Sequence, residues 1–282
     1  MSIFSDVLLT VDFDRTLTGP DAVIPRRNFD AIRYFMENGG AFTVNTGRSV
    51  PMFSAIPQEV PHNAPLLLYN GSAAYGEGEV SLVHAIDLPM YETMAEVAGK
   101  FPMLNLELQG IHAHYRLKED PKWDWLYEGV GCAHDYAWPG RDIGPFLKFT
   151  LFGEIQNNHI TDMFRRDPEE ELIFDEAEMW LKERFGDAVS VFRAGPRIID
   201  VHAKGVSKAR AARELQQKLG RRILVCVGDA ENDITMLDEA DYSFCPADGV
   251  IAHRYENVCK CADGAVAEVI FEKIPAILGI KA

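Results

Sequence analysis

At 282 residues and 47% hydrophobic, the chain can bury a full core and is long enough for two domains. Its formal net charge of −15 argues against nucleic acid or anionic membrane surfaces as main partners, so an anionic ligand would have to be met by local donors. An odd number of cysteines, five, without a Cys-x-x-Cys pair makes a disulfide framework unexpected, and no apolar run approaches the roughly 18 residues of a spanning helix. With no basic and apolar leader readable in residues 1–6, a soluble cytoplasmic protein is expected.

The first element is an apolar strand, Val7 to Val11, that runs straight into Asp12-Phe13-Asp14-Arg15-Thr16. The side-chain period of an extended chain puts Asp12 and Asp14 on the same side. Two like charges at the end of a buried strand are costly unless a cation or a substrate uses them. Strand carboxyl ends are also where open α/β sheets bind ligands. A helix introduced by Pro25 follows, with Phe29, Ile32, Phe35 and Met36 as its apolar stripe and Gly39-Gly40 as its stop. Strand Ala41 to Asn45 then leads into Thr46-Gly47-Arg48. Pro65 to Tyr69 reads as a further strand before Asn70-Gly71-Ser72.

From about His84 to His202 the chain is richer in aromatics and charge, and includes Trp123, Trp125, Trp138 and Trp180. Leu106 to Tyr115, Phe146 to Phe152 and Arg197 to Val201 read as strands, and Met90 to Phe101 and Asp167 to Phe185 as helices. Asp167-Pro168-Glu169-Glu170-Glu171 is a capped helix start whose acids complement the dipole, in preference to an acidic interaction patch. His112 and His114 fall on one face of the expected strand, with His134 as a possible third imidazole. No acidic or cysteine partner lies at zinc-site spacing, so a substrate contact is the preferred reading. Trp123, Trp125, Tyr127, Tyr136 and Trp138 are read as packing residues, with ring stacking on a ligand as the alternative.

The last portion returns to alternating strand and helix. Gly205-Val206-Ser207-Lys208 opens a helix through Leu219, stopped by Gly220. Strand Ile223 to Val227 runs into Gly228-Asp229-Ala230-Glu231-Asn232-Asp233, and Asn232 to Ala240 forms a helix. Strands alternating with helices imply a parallel sheet with right-handed crossovers.

Asp-x-Asp-x-Thr, a strand-end Thr, a helix-start Lys and Gly-Asp-x-x-Asn-Asp, in that order, resemble the haloacid dehalogenase-like hydrolase superfamily. The long insertion, Asn70-Gly71-Ser72 before it and Asp263-Gly264-Ala265-Val266 near the end resemble its Cof-like phosphatase branch. The resemblance implies an α/β fold: a doubly wound, Rossmann-like core over 1–83 and 203–282, with an inserted α+β cap over 84–202 that closes on the active site and sets specificity. It implies Asp12 as a nucleophile forming an aspartyl-phosphate, and Asp14 as the acid and then the base. Thr46, Gly47, Lys208, Asn232 and the Phe13 amide are implied to hold the phosphoryl oxygens. Mg2+ is implied as cofactor, with Asp12, Asp229 and the Asp14 carbonyl as ligands. Asp233 is expected to ligate directly, to act through water, or to orient Lys208. Lys208 fits the family spacing better than Lys204, because small residues Ala211 and Ala212 follow it on the helix. Arg15 departs from the pattern, since many members carry Gly there. The expected activity is hydrolysis of a small phosphorylated metabolite, sugar phosphates favoured. A phosphomannomutase-like transferase and a non-catalytic phosphate-binding protein are the rival readings.

Overall fold

The computed structural model describes residues 2–117, 127–128, 131–154 and 166–280, so Trp123 and Trp125 lie outside the described residues. In chain order the elements are β1 (Val7–Val11), α1 (Arg26–Glu37), β2 (Ala41–Val44), α2 (Val50–Ser54), β3 (Leu66–Leu68), β4 (Ala73–Gly76) and β5 (Glu79–Val83). Then come α3 (Met90–Lys100), β6 (Asn105–Gly110), β7 (His114–Arg116), β8 (His134–Tyr136), β9 (Phe146–Phe152), α4 (Pro168–Phe185), β10 (Val189–Gly195) and β11 (Ile198–Ala203). The chain continues with α5 (Lys208–Lys218), β12 (Ile223–Val227), α6 (Ile234–Glu239), β13 (Tyr242–Pro246), β14 (Glu256–Val258) and short helical turns to residue 277. It divides into two compact units, Met1–Gly47 with Pro57–Ser81 and Ser207–Ala282, and Arg48–Ile56 with Leu82–Val206. Residues 48–56 thus group with the second unit, although the sequence puts them with the core.

The first unit is the α/β core. Its parallel sheet has the order β14-β13-β12-β1-β2. Every residue of β1 is buried, which is why its sequence is a continuous apolar run and not an alternation. Val11 pairs in register with both Val227 and Val44, so β1, β12 and β2 end level. An isolated parallel bridge from Asn45 to Leu67 carries the pairing on toward β3. Level strand ends place Asp12, Asn45, Thr46, Gly228 and Asp229 along one edge of the sheet. Helix α1 buries Ala31, Ile32 and Phe35, but its fourth buried position is Asn28 and not the expected Phe29. The Asn28 amide donates to the Leu17 carbonyl at 2.9 Å and its oxygen accepts the Ala267 N–H at 2.9 Å, which tethers three segments.

The second unit is α+β. Its sheet runs β10-β11-β9-β6-β7-β8, antiparallel except for the β7–β8 pair. The expected single strand from Leu106 to Tyr115 is a hairpin. The Gly110 N–H donates to the Ala113 carbonyl at 3.1 Å, so the chain reverses through Ile111 and His112. His112 therefore sits in the turn and His114 on the returning strand, and the two do not share a strand face as the sequence suggests. Strands β8 and β10 are additional to the sequence reading.

The two faces of this sheet differ sharply. Leu106, Leu108, Tyr115, Phe149, Leu151, Ile199 and Val201 form one core with Met94 and Val97 of α3 and Phe174, Ala177 and Leu181 of α4. The opposite positions make two cross-strand rows: Arg116, Glu107, Thr150 and Asp200, and then His114, Gln109, Lys148 and His202. All eight are buried. Helix α4 begins as expected, with the Asp167 carboxylate accepting from the Glu169 and Glu170 N–H groups at 3.2 and 3.3 Å.

The polar rows make this unit acid-sensitive. Burial, only partly offset by Asp200, lowers His202 to about 3, so it stays neutral in the fold. Burial alone would raise Glu107, but the attraction of His114 and bonds from His114, Tyr127 and Gln109 bring it down to about 2. An unfolded histidine takes up a proton below about 6.5, so the His202 contribution falls as pH drops from there toward 3. The Glu107 contribution is full above the ordinary glutamate value and is lost as pH falls toward 2. Thermal melts across pH 3–8 should show this decline, and His202→Gln should flatten the part between pH 6.5 and 4.

Candidate active site

The sheet edge gathers a buried cluster of charge. Lys208, the first residue of α5, points its ammonium at Asp12 Oδ1 (2.5 Å) and Asp233 Oδ1 (2.7 Å). Ser207 caps that helix by accepting the Arg210 N–H at 3.1 Å. The other Asp233 oxygen accepts from the backbone N–H groups of Asp229 (3.0 Å) and Ala230 (3.2 Å). Both Asp233 oxygens are thus committed, one to the lysine and one to the loop after β12. Gly228 is what allows this, since a Cβ there would lie 2.6 Å from Asp233 Cβ and Cγ. Thr16 donates to Asp229 Oδ1 at 3.1 Å and ties the end of the Asp12 loop to the same centre.

Oxygen atoms of Asp12, Asp229 and Asp233 lie within 4.8 Å of one another, the one such metal-capable group among the described residues. His112, His114 and His134 form none. Three buried carboxylates against one ammonium leave a negative excess, and the shifts of its members follow from it. Burial lifts Asp12 well above the usual carboxylate range, with Lys208 opposing and Asp233, Asp229 and Asp14 adding to the rise. Asp229 is pushed up to about 7 by burial and by Asp233, against the pull of the Thr16 bond and Lys208. Burial alone would lower Lys208, but Asp12 and Asp233 reverse this and hold it above its ordinary value. An oxygen-only donor set with surplus negative charge is the chemistry that suits a hard divalent cation.

Around this centre, Thr46 is buried and Gly47 half-buried at the end of the β2 segment, and the Asn70 N–H donates to the Thr46 carbonyl at 2.8 Å. Tyr69, Asn70 and Gly71 have consecutive positive φ values of 51°, 54° and 96°. Gly71 is required twice over, because its φ suits glycine and an added Cβ would meet Ala211 Cβ at 2.6 Å and the Ser207 carbonyl oxygen at 2.8 Å. Phe13 is buried, Asp14 and Asn232 are half-buried, and Lys204 is exposed, bonding the Gly186 carbonyl in the second unit. The structure therefore brings Asp12, Lys208, Asp229 and Asp233 into direct contact, and sets Thr46 at the neighbouring strand end.

A family model described as haloacid dehalogenase-like hydrolase matches residues 9–263. The chain belongs to that family, in its Cof-like branch. Among its relatives are two 5-amino-6-(5-phospho-D-ribitylamino)uracil phosphatases. YbjI of Escherichia coli is 25% identical over 240 residues, covering 84% of this chain and 83% of that protein. YcsE of Bacillus subtilis is 24% identical over 239 residues, covering 83% and 80%. The fold matches a haloacid dehalogenase-like hydrolase from Bacteroides thetaiotaomicron with a TM-score of 0.74 at 19% identity, covering 95% of this chain and 98% of the other. A sugar phosphatase of subclass IIB matches with a TM-score of 0.72 at 18% identity, covering 97% and 99%. The family makes the chain an enzyme, and the two relatives named above are phosphatases.

In this hydrolase Arg15, the departure from the family pattern, has φ +61° and an exposed side chain. The left-handed conformation explains why glycine is usual at that place and costs an arginine on the order of 1 kcal/mol. Arg15→Gly should raise stability by roughly that amount in denaturant titrations, less the entropy glycine adds to the unfolded chain.

The sequence reading passed over Asn45, Thr16, Glu107, Asp200 and His202. A signal for the last three was present in the alternations Leu106-Glu107-Leu108-Gln109 and Ile199-Asp200-Val201-His202, which pair a covered apolar face with a polar one. Of the cap aromatics, Tyr127 is buried, stacks on His134 at 4.9 Å and bonds Glu107, whereas Trp138 is exposed under the Arg141 guanidinium.

Removing the ammonium isolates the carboxylates. Lys208 is charged in both folded and unfolded states across pH 5–9, so what titrates in that window is the acids. Lys208→Met should destabilise by about 3 kcal/mol near pH 8, the scale of breaking a buried ion pair. The loss should shrink toward pH 5, where Asp229, pushed up to about 7, is protonated and needs no counter-charge. Urea melts at the two pH values test this.

Proposed function

We propose that the protein is a Mg2+-dependent phosphomonoesterase that cleaves a small phosphorylated metabolite through an aspartyl-phosphate on Asp12. The observation that carries the reading is Asp12 at the level end of three parallel strands, held by Lys208 and grouped with Asp229 and Asp233. In this reading Asp12, Asp229 and the Asp14 carbonyl hold the cation, and Asp233 orients Lys208 and the 229–230 backbone. The engagement of both Asp233 oxygens supports that division over direct ligation. When bound, Mg2+ neutralises charge on the phosphoryl oxygens and on the clustered carboxylates.

The chain's own residues account for the rest. Thr46 supplies a hydroxyl and the Gly47 amide a close donor. Lys208 adds a full positive charge at the partially positive start of α5, with Asn232 and the Phe13 amide completing the grip. Fixed in this cradle, phosphorus is presented to a carboxylate oxygen of Asp12, and positioning compensates for a weak nucleophile. As the Asp12 oxygen bonds to phosphorus and the ester P–O bond breaks, the Asp14 carboxyl gives its proton to the leaving alkoxide. The Asp14 carboxylate then takes a proton from water, whose oxygen attacks phosphorus, and the bond to Asp12 breaks to release inorganic phosphate. Acid–base assistance of this kind is worth about 10²–10⁴-fold.

Sugar phosphates and sugar-alcohol phosphates are the favoured substrates. Support comes from relatives that act on a phosphoribityl compound and a structural neighbour that is a sugar phosphatase. Choice among them is assigned to the second unit, as the resemblance implies for the inserted cap. The cytoplasm is the proposed location, in keeping with the absence, among the described residues, of a helix long and apolar enough to cross a membrane.

Phosphate release from a panel of sugar, sugar-alcohol and nucleoside phosphates, with Mg2+ or EDTA, tests the reading. Release that EDTA stops and that Asp12→Asn reduces at least 10³-fold is expected; no release from any ester by folded protein overturns it. Protons compete with a cation for Asp12 and Asp229, so the apparent Mg2+ affinity should rise as pH increases through about 7. Calorimetric Mg2+ titrations at pH 6 and 8 check the sign.

A further inference from the structure

Asn45 is fully buried at the end of the β2 segment, immediately before Thr46. Its backbone is fixed from both sides. The Asn45 N–H donates to the Val11 carbonyl at 2.8 Å, and the residue bridges to Leu67. Its side-chain amide donates to the carbonyl of Lys208 at 2.8 Å and touches Met236 Sδ at 3.6 Å, while its own Oδ1 is buried without a hydrogen-bond partner. A core position could be filled by an apolar side chain with no orphaned acceptor. The amide therefore brings a penalty that packing alone does not explain. Nor does the Lys208 carbonyl need it, because that group lies in the first turn of α5, where the helix ladder supplies a partner.

We propose that Asn45 is a positioning residue for phosphoryl transfer, setting the separation between Thr46 and Lys208. The inference rests on the phosphatase reading above. Thr46 is attached to Asn45 by one peptide bond, and Lys208 is gripped through its backbone by the Asn45 amide. The two groups that hold phosphoryl oxygens are thereby referenced to one planar side chain with no freedom to move. The same bond aims the Lys208 ammonium, which reaches Asp12 and Asp233 at 2.5 and 2.7 Å. Without it, Thr46 and α5 are linked through the Tyr69–Gly71 turn, where Asn70 bonds the Thr46 carbonyl and Gly71 lies against Ser207 and Ala211, and through apolar packing on Ala41. Neither link bonds the first residue of α5 to the residue next to Thr46.

The test is Asn45→Ala, which removes the donor and the orphaned acceptor together, with Asn45→Thr, near in volume, as the second variant. Each is measured for melting temperature, for kcat and KM on the best ester of the panel, and for inhibition by orthovanadate with Mg2+. The expected result is a melting temperature within a few degrees of the parent, a kcat 10–100-fold lower, a KM within about threefold, and a vanadate inhibition constant raised by a factor comparable to the loss in kcat. A merely structural asparagine would lower the melting temperature and leave kcat and vanadate inhibition within twofold, and that outcome in either folded variant overturns the proposal. Isothermal titration of the parent with inorganic phosphate and Mg2+ separates the two levels of the argument. A parent that binds phosphate, with variants that bind and turn over equally well, overturns the role of Asn45 alone. A parent that neither binds nor hydrolyses overturns the phosphatase reading and this inference with it.

Discussion

Everything at the sheet edge depends on one buried ammonium. Three carboxylates, Asp12, Asp229 and Asp233, are folded into a common space, and like charges in a poorly solvated place repel strongly. Lys208 makes the arrangement tenable by bonding two of them. Much of the local sequence serves to place that one group. Ser207 caps its helix, Asn45 holds its carbonyl, and Gly71 and Ala211 are small enough for α5 to lie against the loop after β3. The lysine leaves the charge incompletely balanced. The residual negative potential, in an oxygen-only donor set, suits a hard cation.

Rigid backbone carries this chemistry. Three strands that stop in register present their next residues side by side, so positions 12, 46 and 229 share one edge without any one loop having to reach. Where the chain must turn at once, it accepts strain. Arg15, Tyr69 and Asn70 adopt left-handed conformations that favour glycine, and all three flank the same sheet edge. Strain placed there is held by the surrounding sheet, whose β1 and β12 are among the most completely buried parts of the protein.

The second unit follows a different logic. Its sheet spends one face on an apolar core with α3 and α4 and gives the other to two rows of polar residues. Two groups of charges on this face are matched: Lys148 and Thr150 bond Asp200, and Glu107 collects His114, Gln109 and Tyr127.

Strands β1, β2 and β12 of the core, β9 of the second unit, the helix starting at Lys208 and the four motifs were all legible from the residues alone. Their information is local: continuous apolar runs, capping residues and the order of polar groups at strand ends. Reading failed where the deciding contact was distant in sequence. Leu106 to Tyr115 has the composition of one strand, and only the Gly110–Ala113 bond shows the hairpin that separates His112 from His114. Helix α1 has an apolar stripe, but Asn28 is buried in place of Phe29 because its partners lie at Leu17 and Ala267. The sequence by itself determined the fold class and which acids and lysine carry charge to the sheet edge, since those follow from element periodicity and motif order. Tertiary structure alone decided that Asp233 serves Lys208 with one oxygen and the backbone with the other, and that Asn45 joins the Thr46 strand to α5. Those assignments depend on which of several possible partners comes within hydrogen-bonding distance, and packing between elements far apart in the chain sets that distance.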